Sequence, residues 1–172
     1  DNLTRGYGWR LLDLGRRIER VRFSVRVIRQ LATEDPDLTA QRLELLLDIQ
    51  DSTITYWSRY QDAPTLETLL DLLVLDDSNP RSMLNQIERL QRHMDVMPQE
   101  DRTRGLSEAQ RTVLAMQSDL RLADLDKLAN VVSQQGRRTH LQRLLRRTED
   151  SVNRLSHLIS QTYFEHTLGR ER

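Results

Sequence analysis

The sequence has no cysteine, a single lysine (Lys127), 6 glycines, 4 prolines and only 5% aromatic residues. Without cysteine there can be no disulfide, no thiolate metal site and no cysteine nucleophile, and a reducing cytoplasm is the simplest setting. No apolar run approaches the roughly 18 residues of a membrane span, and no signal-peptide pattern opens the chain, so a cytoplasmic protein with no membrane partner is expected. Charge of one sign is missing as well. The 26 basic and 26 acidic residues cancel, which leaves no global field to gather DNA, RNA or an anionic membrane.

What is present is a helix-rich composition: 37% hydrophobic and 30% charged residues over 172 positions, enough for one domain with a buried core. The basic residues are arginines apart from Lys127. A guanidinium fork suits bidentate contact with carboxylate or phosphate, although a GC-rich genome also explains the skew. The chain opens at Asp1 rather than at methionine, and is read as part of a longer polypeptide.

Apolar residues at alternating gaps of 3 and 4 share one helical stripe, whereas strands need gaps of 2. Leu11, Leu14, Ile18, Val21, Val25, Ile28 and Ala32 keep this alternation after Thr4 as N-cap, and Asp35-Pro36 ends the helix. A second helix is expected from Thr39 to about Gln61, with a wide apolar arc that includes Leu43, Leu46, Leu47, Ile54 and Trp57. Thr65 caps a short third helix, Leu66 to Leu73, apolar nearly all round and expected as a buried plug. Asn79-Pro80 reads as cap and first helical residue of a fourth, with Met83, Ile87, Leu90, Met94 and Met97 as its stripe. Pro98 to Gly105 reads as a loop, and Ser107 with Gln110 as a capping box. Asp124 recaps a continuation, Gly136 breaks it, and a last helix runs from about Leu141 to between Phe164 and Leu168. The expected fold is all-α: one domain, an antiparallel bundle of five to seven helices.

Four stretches carry a resemblance. The first is Leu3-Thr4-Arg5-Gly6, Gly8-Trp9-Arg10 and Leu12 through Arg20, which contains Glu19-Arg20. The others are Asp51-Ser52 with Thr55-Tyr56 and Arg59-Tyr60, then Leu75-Asp76-Asp77 with Asn79 to Ser82, and finally Ile159-Ser160 with Tyr163-Phe164. In this order they resemble the bacterial alpha-E family, a helical domain with a recurrent Glu-Arg motif. The resemblance implies the C-terminal half of a longer domain, whose earlier Glu-Arg motif is not in this chain. It also implies partners: ATP-grasp ligase-like proteins, transglutaminase-like proteins and a proteasome-related peptidase, and hence a peptide-modifying or amide-forming system.

Three polar groups are candidate sites. Glu19 has Arg16 and Arg22 three residues away on either side and Arg26 one heptad on; the row can hold an anion, or fix helix register as an ion-pair network. Asp48, Asp51, Ser52, Thr55, Arg59 and Asp62 fall on one stripe, either a cleft wall or a solvent face. In the run from Asp76 to Ser82, Arg81 and Ser82 at a helix N-terminus suit a phosphate or carboxylate, while Asn79 and Pro80 are also explained by capping alone. The four histidines form no HExxH pair or Glu-x-x-His repeat, and neither a nucleophile elbow nor a phosphate loop occurs, so no metal, no cofactor and no self-sufficient catalysis are expected.

The leading expectation is therefore an accessory binding module in which Glu19, Arg20, Asp51, Arg59, Asn79 and Arg81 line a polar groove for a peptide, an anionic substrate or the partner enzyme. An enzyme of amide or phosphoryl transfer using the same cluster is the alternative. A third is a nucleic-acid binder built on Arg137, Arg138, Arg143, Arg146 and Arg147, disfavoured by Glu149, Asp150 and the lack of interleaved aromatics.

Overall fold

The apolar stripes are buried where the spacing places them. In the computed structural model, which describes residues 2–33, 38–98 and 105–164, the stripe of the first helix, Leu14, Ile18, Val21, Val25 and Ile28, is almost wholly shielded from solvent. The stripes of the later long helices are buried too: Met83, Ile87, Leu90 and Met94, then Val113, Met116 and Leu120, then Leu141, Leu145, Val152, Leu155 and Ile159. Each such side chain contributes about 1.5–3 kcal/mol on burial, so the four stripes dominate the fold's stability.

Among the described residues the regular elements are all helical. They are α1 (Asn2–Ile28), running into a π turn (Arg29–Thr33); α2 (Ala40–Ile49); α3 (Thr53–Arg59); α4 (Leu66–Leu70), running into a second π turn (Asp71–Leu75); α5 (Met83–Val96); α6 (Glu108–Arg121); α7 (Leu125–Asn130); and α8 (Thr139–Tyr163). The long helices close a ring in which α1 packs on α5, α5 on α6, α6 on α8 and α8 on α1. Their direction follows from cross-helix pairs. Arg10 reaches His93 while Arg17 reaches Gln86, and Arg22 reaches Asn153 while Arg29 reaches Glu149, so α5 and α8 both run antiparallel to α1. Arg147 with Asp119 and Arg154 with Glu108 set α6 antiparallel to α8. The result is an up-down-up-down bundle, with α4 as the expected apolar plug: Leu66, Leu69, Leu70, Leu72 and Leu73 are all buried, and α4 packs on α7.

Several local expectations hold at atomic detail. Thr65 accepts a hydrogen bond from the Thr68 N–H, Ser107 and Gln110 make both bonds of a capping box, and Asp124 accepts from the Lys127 N–H. Gly136 takes φ of 75°, a left-handed turn that a side chain would strain, between α7 and α8.

Three expectations are corrected. The helix expected over Thr39–Gln61 is two helices. The Asp51 N–H bonds to the Asp48 carbonyl (3.0 Å) and the Ser52 N–H to the Leu47 carbonyl (2.9 Å), a Schellman closure with Asp51 in the left-handed region at φ 52°. The break raises the helix count to eight among the described residues and takes the two halves out of phase, so Ile54 and Trp57 are exposed. Second, the cap of α5 is Ser82 rather than Asn79: the Ser82 hydroxyl accepts from the Asn85 N–H at 3.0 Å, and Asn79 and Pro80 lie in the preceding turn. Third, Thr4 lies inside α1. The Asp35-Pro36 stop, the body of the Pro98–Gly105 loop and the interval past Phe164 fall outside the described residues.

The arginine run from Arg137 to Arg147, at the start of α8, is divided. Arg138 is buried, donating from Nε to the Ala129 carbonyl (3.0 Å) and from Nη1 to the Ala32 carbonyl (3.1 Å), where it ties the ends of α7 and of the first π turn to the start of α8. A cation fits there because carbonyls left over at helix C-termini carry partial negative charge. Arg147 pairs with Asp119, so the run is not one exposed basic face.

Candidate functional site

The sequence candidates on α3 and before α5 come together as a saturated polar knot. Asp76 follows the second π turn, and one of its carboxylate oxygens accepts from the Ser78 N–H (2.8 Å), the Ser78 hydroxyl (2.7 Å) and the Asn79 N–H (3.3 Å). The other oxygen pairs with Arg59, whose second nitrogen donates to Ser78 Oγ at 3.1 Å. Asn79 is buried, gives its amide to the Leu72 carbonyl (2.9 Å) and accepts from the Arg81 N–H (3.1 Å). Ser82, also buried, donates to the Asp76 carbonyl while capping α5. Arg81 pairs with Asp51, closing α5 onto the α2–α3 break. Thr55 is half-buried on α3, and its carbonyl takes the Ser58 hydroxyl. Beside the knot, Tyr60 donates to Asp71; burial, and then that carboxylate, push the phenol well above its ordinary range.

Glu19, Arg16 and Arg20 are exposed and lie apart from this knot. Glu19 pairs with Arg22 at 2.5 Å, and Arg22 also donates to Asn153 on α8 at 2.9 Å, so this part of the ladder ties α1 to α8. No contact joins Glu19 to Asp51, Arg59 or Arg81 among the described residues, and the single groove expected to hold all of them does not form.

A different cluster, between α1 and α5, has the features of a site. Arg10, Asp13 and Arg17 lie at spacings of 3 and 4 on α1, and Gln86, Arg89 and His93 repeat those spacings on α5, so each helix presents one polar row to the other. Asp13 is buried and shared: His93 Nε2 lies 2.6 Å from Oδ2, and Arg17 donates to both carboxylate oxygens at 3.0 and 3.2 Å. Arg17 also donates to the Gln86 side-chain oxygen at 2.9 Å, and Gln86 passes its amide to the Pro80 carbonyl. On the other side Arg10 Nη1 approaches His93 Nδ1 at 3.5 Å. A guanidinium can only donate, so this contact assigns Nδ1 as acceptor and puts the imidazole proton on Nε2, toward Asp13. Burial alone would raise the Asp13 carboxyl, but hydrogen bonds from His93 and Arg17, with the charge of Arg17, outweigh it and hold the group below the usual carboxylate range.

These residues line a cleft of about 280 Å³ with Trp9, Arg89 and Arg92. Four arginines meet one carboxylate there, and that carboxylate is already engaged by Arg17. Arg10, Arg89 and Arg92 form no ion pair among the described residues. Trp9 is 57% exposed and packs edge-on against the His93 ring at 5.7 Å. The arrangement can hold an anion against several guanidinium groups, with an oriented imidazole at its wall.

Comparison with known proteins agrees with the helical ring and its Glu-Arg pair. The family described as a predicted alpha-helical domain with a conserved ER motif, Alpha-E, matches residues 1–164. The chain belongs to the Alpha-E family. Uncharacterized proteins of Mycobacterium bovis and of two Mycobacterium tuberculosis strains are 26% identical to it over 164 residues. The match takes in 94% of this chain and 18% of each relative, so the chain spans under a fifth of their length. No solved structure matches.

Besides Glu171-Arg172, Glu-Arg occurs in this Alpha-E chain within two similar runs, Ile18-Glu19-Arg20 on α1 and Ile87-Glu88-Arg89 on α5. The first pair is exposed; in the second, Glu88 pairs with Arg121 on α6 and Arg89 lines the cleft. Asp13, Arg17, Arg89 and His93 are not among the binding residues that the sequence pattern suggests. The available signal was the matched 3–4 spacing of two polar rows. Among the described residues no three of His, Asp and Glu gather as metal ligands, and no helix is long and apolar enough to cross a membrane.

Proposed function

We propose that this Alpha-E chain is a binding module without chemistry of its own, which offers the arginine-rich cleft between α1 and α5 to an acidic group on a ligand or partner. The observation that carries the reading is the surplus of guanidinium groups there: three arginines without an acidic partner among the described residues share one cleft, whereas Arg59 and Arg81 are paired in the knot. Clustered like charges raise the free energy of the empty cleft, and an anion relieves that repulsion. Calorimetric titration with an acidic peptide tests it. Binding should weaken as salt rises and on Arg10→Ala or Arg92→Ala, and stay unchanged on Arg59→Ala; equal loss in all three variants would contradict it.

The module serves, in this reading, as the accessory unit of a peptide-modifying, amide-forming system whose enzyme is an ATP-grasp ligase-like or transglutaminase-like protein, and a peptide is its substrate. That part rests on the family resemblance, and the greater length of the mycobacterial relatives supports a module working beside other units. Co-purification of such an enzyme with the chain, weakened by Arg92→Glu at unchanged melting temperature, is the expected result.

An enzymatic role is the second reading, favoured by the Asp13–His93 pair, because the carboxylate orients an imidazole whose Nδ1 lone pair can take a proton. It predicts that His93→Gln abolishes turnover while ligand affinity survives.

A further inference from the structure

The cleft between α1 and α5 carries more than a general preference for negative charge. We infer that it is built for a phosphoryl group, as a phosphate ester or a pyrophosphate, rather than for a carboxylate; this rests on the anion-binding reading above and narrows its ligand. The first ground is the arrangement of charge. The one carboxylate in the cleft, Asp13, is already taken up by the Arg17 fork and by His93 Nε2. The three guanidinium groups left over come from both walls, Arg10 from α1 and Arg89 and Arg92 from α5. A carboxylate can also accept from both walls, as Asp13 does from Arg17 and His93, but it brings one charge and two coplanar oxygens, whereas a tetrahedral phosphoryl dianion brings two charges and three diverging oxygens to the three guanidinium groups.

The second ground is the proton inventory of the wall. His93 Nδ1 is an acceptor, because Nε2 donates to Asp13. A fully ionised carboxylate has nothing to donate to that lone pair and would be repelled by it. A phosphate with its second ionisation near pH 6 still carries an O–H as the monoanion over part of the neutral range, and can donate to Nδ1 in place of the long 3.5 Å contact from Arg10, which is then free to reach the other oxygens. Size agrees: about 280 Å³ holds one or two phosphoryl groups and falls short of what a drug-sized ligand fills.

Trp9 reports on the site. The chain has 2 tryptophans, so in a Trp57→Phe background Trp9 is the single indole, and it lies on the cleft wall. This protein is titrated at constant ionic strength with inorganic phosphate, pyrophosphate, acetate and citrate while Trp9 emission is followed. The expected result is saturable binding of phosphate and pyrophosphate, with pyrophosphate at least about tenfold tighter than citrate, a carboxylate of comparable charge. Arg92→Gln and Arg10→Gln should each weaken pyrophosphate about tenfold at unchanged melting temperature, and Arg81→Gln should not. Citrate binding as tightly as pyrophosphate would overturn the phosphoryl assignment and leave the anion-binding module intact. Absence of binding by all four anions would overturn both.

Discussion

Two polar regions of this molecule use the same residue types to opposite effect. Around Asp76, at the junction of α3, the second π turn and α5, each of the two neighbouring arginines has an acidic partner and the carboxylate at the centre accepts four groups. Between α1 and α5 one carboxylate serves Arg17 and His93, while Arg10, Arg89 and Arg92 line the same cleft without an acidic partner among the described residues. The difference teaches that an arginine's type and helical position do not decide its role. What decides is whether the opposing element brings it a carboxylate.

The largest expected effect breaks the cleft from beneath. Asp13→Ala leaves Arg17 and His93 partly buried with no counter-charge, and should cost about 3–5 kcal/mol in urea denaturation. The same variant sharpens the contrast, because it releases one more guanidinium and should tighten anion binding even as stability falls. The carboxyl also gives a pH signature. Its folded pKa lies below its unfolded value of about 3.9, so its stabilisation is full above that value and is lost as pH falls through the depressed folded pKa. Asp13→Asn should flatten this acid limb in melting curves recorded from pH 5 downward.

Asp76→Ala comes next. It strips the knot of its acceptor and leaves the Asn79 N–H and the Arg59 fork unsatisfied, for about 2 kcal/mol of destabilisation and no change in anion binding. Asp51→Gly should act in the opposite direction. Glycine removes the left-handed strain at φ 52°, worth about 1 kcal/mol, against loss of an exposed ion pair to Arg81 worth about 0–1 kcal/mol, so the melting temperature should rise slightly or hold. The smallest effect belongs to Arg92→Ala: stability within about 0.5 kcal/mol of the parent, with the change confined to ligand affinity.

The bundle was legible because 3–4 spacing survives any tertiary detail, and the stripes on α1, α5, α6 and α8 are the core. Side-chain caps at Thr65, Ser107 and Asp124 were legible for the same reason, since a cap is a local bond over three residues. The break at Gln50–Ser52 was not, because its left-handed residue is an aspartate where glycine is usual. The α5 cap was misplaced because Asn79 and Ser82 are both good caps; the π turn presents the Leu72 carbonyl to the Asn79 amide, and Ser82 is left to cap the helix. The knot was partly legible as a motif, though not as a closed network. The cleft was least legible of all. Arg10, Asp13 and Arg17 alone look like a solvent face, and only the register of α1 against α5 sets them opposite Gln86 and His93.

The most direct test follows the arginine side chains themselves. In a spectrum of arginine Nε–H groups recorded during a pyrophosphate titration, the signals of Arg10, Arg89 and Arg92 should move together and saturate at one ligand concentration, while those of Arg59 and Arg81 stay fixed. Movement of the knot arginines with the cleft signals unmoved would contradict the assignment of the ligand site to α1 and α5.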